Sequence, residues 1–169
     1  CCFSGQAPAR VLETVARLAT LLPGPSFVPH VTVPGDIALP KERIATAAGM
    51  LARRTPPQRW RVAGVEHTPH FFRCLYLRFG AEPVFDRLQA AAQACTRTPR
   101  GLSPYPHLSL AYGEAHPGNA ELARTLAQDF GGSEVLFDRL ALYRSSKHVP
   151  IPDWECLYTF PLAGAHQTT

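Results

Sequence analysis

Apolar residues recur along this chain with two periods, and the switches between them mark its elements. Between residues 9 and 22, Val11, Val15, Leu18 and Leu22 fall at steps of four, three and four, one stripe of an amphipathic helix that Pro23-Gly24-Pro25 stops. Residues 40–54 repeat the stripe with Ile44, Ala47, Ala48 and Leu51; Pro40 suits a first turn, and Arg53-Arg54 suits the negative end of the helix dipole. Val84, Leu88, Ala91 and Cys95 predict a third helix over 83–95. Leu122, Leu126 and Phe130 predict a fourth over 119–130, closed by Gly131-Gly132.

Between the helices the period drops to two. Alternating, aromatic and β-branched runs predict strands over 27–33, 60–65, 71–79, 105–112, 134–144 and 154–162, with the second and third forming a hairpin; a weak opening strand is expected at 1–4. The order helix, strand, helix, further strands occurs twice. Short helices against largely antiparallel strands give an α+β fold, a single domain over 1–169 with two similar lobes.

Two of the strands carry the same pattern. Phe27-Val28-Pro29-His30-Val31-Thr32-Val33-Pro34 is echoed by Tyr105-Pro106-His107-Leu108-Ser109-Leu110-Ala111-Tyr112, each with Pro-His-apolar-hydroxyl-apolar at its centre. On a strand, successive side chains alternate faces, so His30 shares a face with Thr32, and His107 with Ser109, while the valines and leucines face the other way. Packing the apolar members inward leaves an imidazole and a hydroxyl projecting from each strand. His166-Gln167-Thr168, in a polar tail, repeats the triplet without the frame and reads as a chance match. The 77 positions between His30 and His107 suit one copy in each half of a duplicated domain.

Composition narrows the classes. A chain of 169 residues, 46% hydrophobic, can bury one real core. Its 17 basic and 13 acidic residues give a net charge of +4, compatible with a phosphorylated small molecule or an RNA end, and the absence of a basic run argues against a broad nucleic-acid platform. Five cysteines without a Cys-x-x-Cys pair predict neither a disulfide framework nor zinc, and a reducing, cytoplasmic setting is expected. His67 and His70, on a turn with no third ligand, do not make a metal site, and no cofactor is expected. No apolar run is long enough to cross a membrane, so a soluble monomer is expected.

The run from Gly24 to Val33 and the run from Pro106 to Tyr112 resemble the two motifs of the two-histidine phosphoesterase superfamily, and within it the cyclic phosphodiesterases known from plants and yeast. Phe71-Phe72-Arg73-Cys74, Arg139-Leu140-Ala141-Leu142 and Trp154-Glu155 resemble that family's intervening and closing strands. The resemblance implies two antiparallel sheets with helices on the outer faces and a central groove holding both motifs. It also implies metal-independent hydrolysis of ADP-ribose 1″,2″-cyclic phosphate to ADP-ribose 1″-phosphate, and of nucleoside 2′,3′-cyclic phosphates to 2′-phosphates. Tyr112 joins the substrate-binding set by resemblance alone, since five positions after His107 it falls on the opposite face of a regular strand unless a bulge intervenes.

Opening a cyclic phosphodiester requires a base to activate water and an acid to protonate the departing sugar oxygen on opposite sides of phosphorus. Two imidazoles suit both tasks near neutral pH. By analogy with the family His107 is assigned as base and His30 as acid, with Thr32 and Ser109 donating to nonbridging phosphate oxygens. Phe72 is a candidate stacking surface for a nucleobase. Arg144 and Lys147 follow a strand and are candidates to touch a pyrophosphate, against the plainer reading of a solvated loop. Two alternatives stand beside this reading: an RNA-end phosphodiesterase or 2′,5′ RNA ligase-like enzyme, and a nucleotide-binding module without turnover. A small cyclic phosphate is the expected partner, with an RNA end second.

Overall fold

The computed structural model describes residues 2–4, 9–22, 24–35, 37–96, 102–146 and 148–165; Lys147 and the triplet at His166 lie outside them. Four helices form where the helical stripes predict them: α1 (Ala9–Leu21), α2 (Lys41–Ala52), α3 (Pro83–Thr96) and α4 (Asn119–Phe130). Eight strands are described: β1 (Cys2–Ser4), β2 (Val31–Thr32), β3 (Gln58–His67), β4 (Leu75–Phe79), β5 (His107–Ala111), β6 (Glu134–Phe137), β7 (Arg139–Arg144) and β8 (Glu155–Pro161).

They form two four-stranded antiparallel sheets, ordered β2-β1-β7-β8 and β5-β4-β3-β6. Helix α2 covers β7 and β8 of the first sheet, while α1 lies on β5 and α4 on β3 and β4 of the second. The predicted stripe of α1 is buried throughout, at Val11, Val15, Leu18 and Leu22. The α3 stripe is rotated from expectation: Phe85, Leu88 and Ala92 are buried, while Cys95 is exposed. Phe85 wins the inward position because it packs edge-on against Trp60, with ring centroids 6.1 Å apart. Trp60 also meets Phe79 and Phe137 at 5.7 and 4.8 Å. Full burial of such side chains is worth about 1.5–3 kcal/mol each, which makes this cluster the anchor of the second sheet.

Four expectations are corrected. Residues 27–33 do not form one strand; the ladder is confined to Val31–Thr32, because Pro29 has no N–H to donate and Pro34 blocks continuation. Phe71–Arg73 is a 3₁₀ turn rather than the start of β4. Thr68 favours that turn, accepting from the His70 N–H at 3.3 Å and donating to the Arg73 carbonyl at 2.6 Å. The predicted strand over 134–144 is two strands, with the chain changing sheets at Asp138. Finally, the lobes are not sequence halves: the first sheet joins β1 and β2 to β7 and β8, and the second is built from the residues between, through β6.

Each motif strand, β2 or β5, lies at an edge of its sheet, and the two edges meet. An isolated antiparallel bridge between Pro34 and Leu102 links the segment after the first motif to the one before the second. Gly24 tightens the seam, since a Cβ there would run into the Tyr112 carbonyl oxygen. Phe27 closes it by stacking on the Tyr112 ring, with centroids 3.8 Å apart.

Candidate active site

Each motif holds its imidazole by the same local device. His30 Nδ1 lies 2.7 Å from the Val28 carbonyl oxygen, and His107 Nδ1 lies 3.3 Å from the Tyr105 carbonyl oxygen. In both, the acceptor is two residues upstream and a buried proline, Pro29 or Pro106, stands between. Proline keeps the residue before it extended, so the carbonyl is held in position. A carbonyl only accepts, so Nδ1 carries the proton and Nε2 is left with a lone pair. His107 has a further neighbour: the Ser103 hydroxyl sits 3.2 Å from Nδ1 while itself donating to the Tyr105 carbonyl at 2.7 Å.

Burial disfavours the charged form of both rings. Burial pushes His107 down to about 4, partly opposed by its bond to the Tyr105 carbonyl, and the positive charges of Arg73, His30 and His70 push the same way as burial. Burial also lowers His30, opposed by the Val28 carbonyl. The contact between β2, which His30 immediately precedes, and β5, which His107 opens, brings the two motifs to one seam.

The two hydroxyls sit differently. Thr32 lines an open groove of about 820 Å³. Ser109 is buried, and its Oγ donates to the Phe72 carbonyl at 2.9 Å, fastening the 3₁₀ turn to β5. Tyr112 reaches the face of His107 and Ser109 by a break in register: Tyr76 pairs with Ser109 but Leu75 with Ala111, leaving Leu110 as an extra residue. That bulge reverses the alternation for the residues after it, which the periodicity of a regular strand does not foresee.

Phe72 lies in the groove wall, 5.5 Å from Tyr112 and 5.9 Å from Trp154, centroid to centroid. Tyr143 lies 6.2 Å from His30 and near-parallel to it. The Trp154 indole N–H points to the carbonyls of Ser146 and Val149, each at 3.3 Å, which sets the loop after β7 along the groove. His70, Arg144 and His148 line the same groove. Arg144 pairs with Glu155 at 3.1 Å, both exposed. Of the residues singled out in the sequence, Thr32 and Phe72 line the groove, Tyr112 packs against Phe72, and His30 and His107 lie where the segments of β2 and β5 meet; Arg73, Tyr143, His70 and Trp154 join these surroundings from positions the sequence patterns do not single out as site residues. The signal for Arg73 was present in Phe71-Phe72-Arg73-Cys74, but a predicted strand gave no reason to aim it at His107.

Among the described residues no group of three His, Cys, Asp or Glu side chains is placed to hold a metal ion, and no helix is long and apolar enough to cross a membrane. A separate hollow of about 190 Å³ between α2 and α3 is lined almost wholly by apolar chains such as Ile44, Leu51 and Leu88, and holds no acid–base pair.

No curated protein sequence matches the chain. Its architecture is similar to that of TT0787 of Thermus thermophilus, with a TM-score of 0.61 at 22% identity over 98% of this chain and 97% of that one. It is also similar to a structure described as a phosphoesterase, with a TM-score of 0.55 at 12% identity over 96% of each chain. These likenesses concern the fold. The sequence profile of the 2′-5′ RNA ligase superfamily, by contrast, matches residues 7–149 and so spans both proline-braced histidines, all of the second sheet, and β2 and β7 of the first. With both motifs inside the match, the chain belongs to the 2′-5′ RNA ligase superfamily of two-histidine phosphoesterases.

Proposed function

We propose that the protein hydrolyses cyclic phosphodiesters by paired acid–base catalysis, with His107 as base and His30 as acid. The observation that carries this reading is the shared bracing of the two imidazoles, each with its Nδ1–H tied to a carbonyl two residues upstream, which leaves the lone pair on Nε2. A binding module has no use for two such nitrogens.

In the reaction, His107 Nε2 takes a proton from water as its oxygen bonds to phosphorus, and the P–O bond to the leaving sugar oxygen breaks. That oxygen takes a proton from His30 Nε2. The sum is one water added and one ring opened, with the two imidazoles exchanging protons with solvent before the next turnover. His107, lowered to about 4, is unprotonated at neutral pH, as a base must be. His30 is lowered by burial in the free protein and takes its proton from solvent as the substrate binds, because the anionic phosphate favours the imidazolium. Thr32 donates to a nonbridging oxygen from the groove wall, and Ser109 supports the same end of the site. Phe72, with Trp154 beside it, offers the aromatic surface for a base, and Tyr112, buried against Phe27, backs Phe72 from within.

The proposed substrates are ADP-ribose 1″,2″-cyclic phosphate, opened to the 1″-phosphate, and nucleoside 2′,3′-cyclic phosphates, opened to 2′-phosphates, without a metal. The size of the groove, about 820 Å³, favours one second reading, a cyclic phosphate at an RNA end. Hydrolysis of these compounds and of a short RNA ending in a cyclic phosphate, in EDTA, with phosphorus NMR to locate the product phosphate, tests both. Turnover of the small substrates supports the first reading, turnover of RNA alone the second, and binding without turnover removes both.

A further inference from the structure

We propose that Arg73 is the phosphate-binding cation of this site, using its guanidinium to hold nonbridging oxygens of the substrate beside His107. The proposal rests on reading the groove as a phosphodiester site.

Two arginines stand near His107, and they differ in what they already hold. Arg78 donates to the Glu66 carboxylate at 3.2 Å and lies over the Tyr105 ring at 4.4 Å, so its charge is balanced. Arg73 takes part in none of the ion pairs among the described residues, and its buried Nε has no hydrogen-bond partner. A buried donor without an acceptor bears its full desolvation cost, and a cation without a counter-ion bears more. An anion that arrives with the substrate relieves both.

The surroundings place that anion at the reaction. The Arg73 guanidinium lies 5.9 Å from the Tyr76 ring centroid and 5.6 Å from that of Tyr105. The same two rings flank His107 at 5.4 and 6.0 Å. Aromatic faces hold a guanidinium flat and leave its edge to engage two oxygens at once. The turn bearing Arg73 is fixed at three points: its N–H donates to the His70 carbonyl at 2.9 Å, its carbonyl accepts from Thr68 at 2.6 Å, and the preceding carbonyl accepts from Ser109 at 2.9 Å. Ser109 therefore acts on the phosphate partly through this turn: the proton it spends on Phe72 holds Arg73 in place. Arg73 also has the largest effect of the neighbouring charges that lower His107, so the side chain that receives the phosphate adds to the burial that disfavours the protonated base.

The test is inorganic phosphate, titrated into the full chain at pH 7 and followed by the His107 imidazole resonances. Wild type is expected to saturate in the millimolar range; Arg73→Gln should weaken binding about ten- to a hundred-fold, as loss of charge-assisted bonds implies. Arg73→Lys, which keeps the charge and loses the fork, should fall between, and Arg78→Gln should stay within about threefold of wild type by the same bond accounting. No phosphate binding by wild type, equal binding by Arg73→Gln, or an equal loss in Arg78→Gln overturns the assignment. Circular dichroism checks each fold; if Arg73→Gln does not fold, Arg73→Lys decides, and unchanged affinity there overturns the assignment. Arg73-dependent phosphate binding without turnover of any cyclic phosphate would remove the proposed reaction and leave the anion site standing.

Discussion

The runs Pro29-His30-Val31-Thr32 and Pro106-His107-Leu108-Ser109 are nearly interchangeable as sequence, yet the protein builds them unequally. The first sits on a two-residue edge strand with its hydroxyl on the open groove and its imidazole tied to one carbonyl. The second sits on a five-residue bulged strand, with its hydroxyl buried and spent on the Phe72 carbonyl and its imidazole flanked by a carbonyl and the Ser103 hydroxyl. A shared motif thus specifies how a proton is presented, while the surrounding strand decides how firmly and at what pKa. The more heavily supported half, with the base's pKa lowered to about 4, is the one assigned the proton-accepting role.

The largest expected effect tests that division directly. His107→Ala and His30→Ala should each lower kcat by about 10²–10⁴ with folding retained, since positioned acid–base groups contribute that much. Unfolding of either variant by circular dichroism would show the ring to be structural instead. The profile of kcat/KM against pH should be a bell on the acidic side of neutrality, rising through about 4 as His107 deprotonates and falling below 6.5 as His30 does. His107→Ala should erase the low-pH limb in its residual activity, and His30→Ala the high-pH one; the reverse pairing would exchange their roles.

Next come the hydroxyls. Thr32→Ala should cost activity, on the order of 10²-fold by analogy with an oxyanion donor, with little change in Tm. Ser109→Ala should also destabilise the fold by about 1–3 kcal/mol, because it strands a buried carbonyl. Equal Tm values for the two variants would dissolve the contrast. Gly24→Ala, which drives a Cβ toward the Tyr112 carbonyl, should cost about 1–3 kcal/mol of stability measured by urea unfolding. The smallest effect concerns pH and stability. Both histidines titrate lower when folded, so the unfolded chain binds more protons, and stability should decline as pH falls from about 6.5 through about 4. His107→Ala should flatten that decline in urea midpoints; an unaltered slope would mean the ring is not shielded from solvent.

Much of this was legible in the sequence for a local reason. Helical stripes such as Val11, Val15, Leu18 and Leu22 are set by neighbours three and four residues away, and the imidazole braces by a proline at the next position. What was hidden depends on distant partners. The parity of Tyr112 follows from an extra residue at Leu110, visible only against β4. The α3 face follows from Trp60 claiming Phe85 rather than Val84. Arg73 became meaningful only once Thr68 and Ser109 had turned a run expected to be strand into a fixed 3₁₀ turn.

The pairing of Cys2 with Ala141 in the first sheet has a consequence in time rather than space. On a ribosome, the segment bearing Thr32 emerges early but has no sheet to join until residues 139–161 follow, whereas β3, β4 and β5 are complete well before. Such long-range closure slows folding. The nascent chain should therefore carry His107 in a formed sheet while His30 still waits, and bring the two motifs together only once residues 139–161 have emerged.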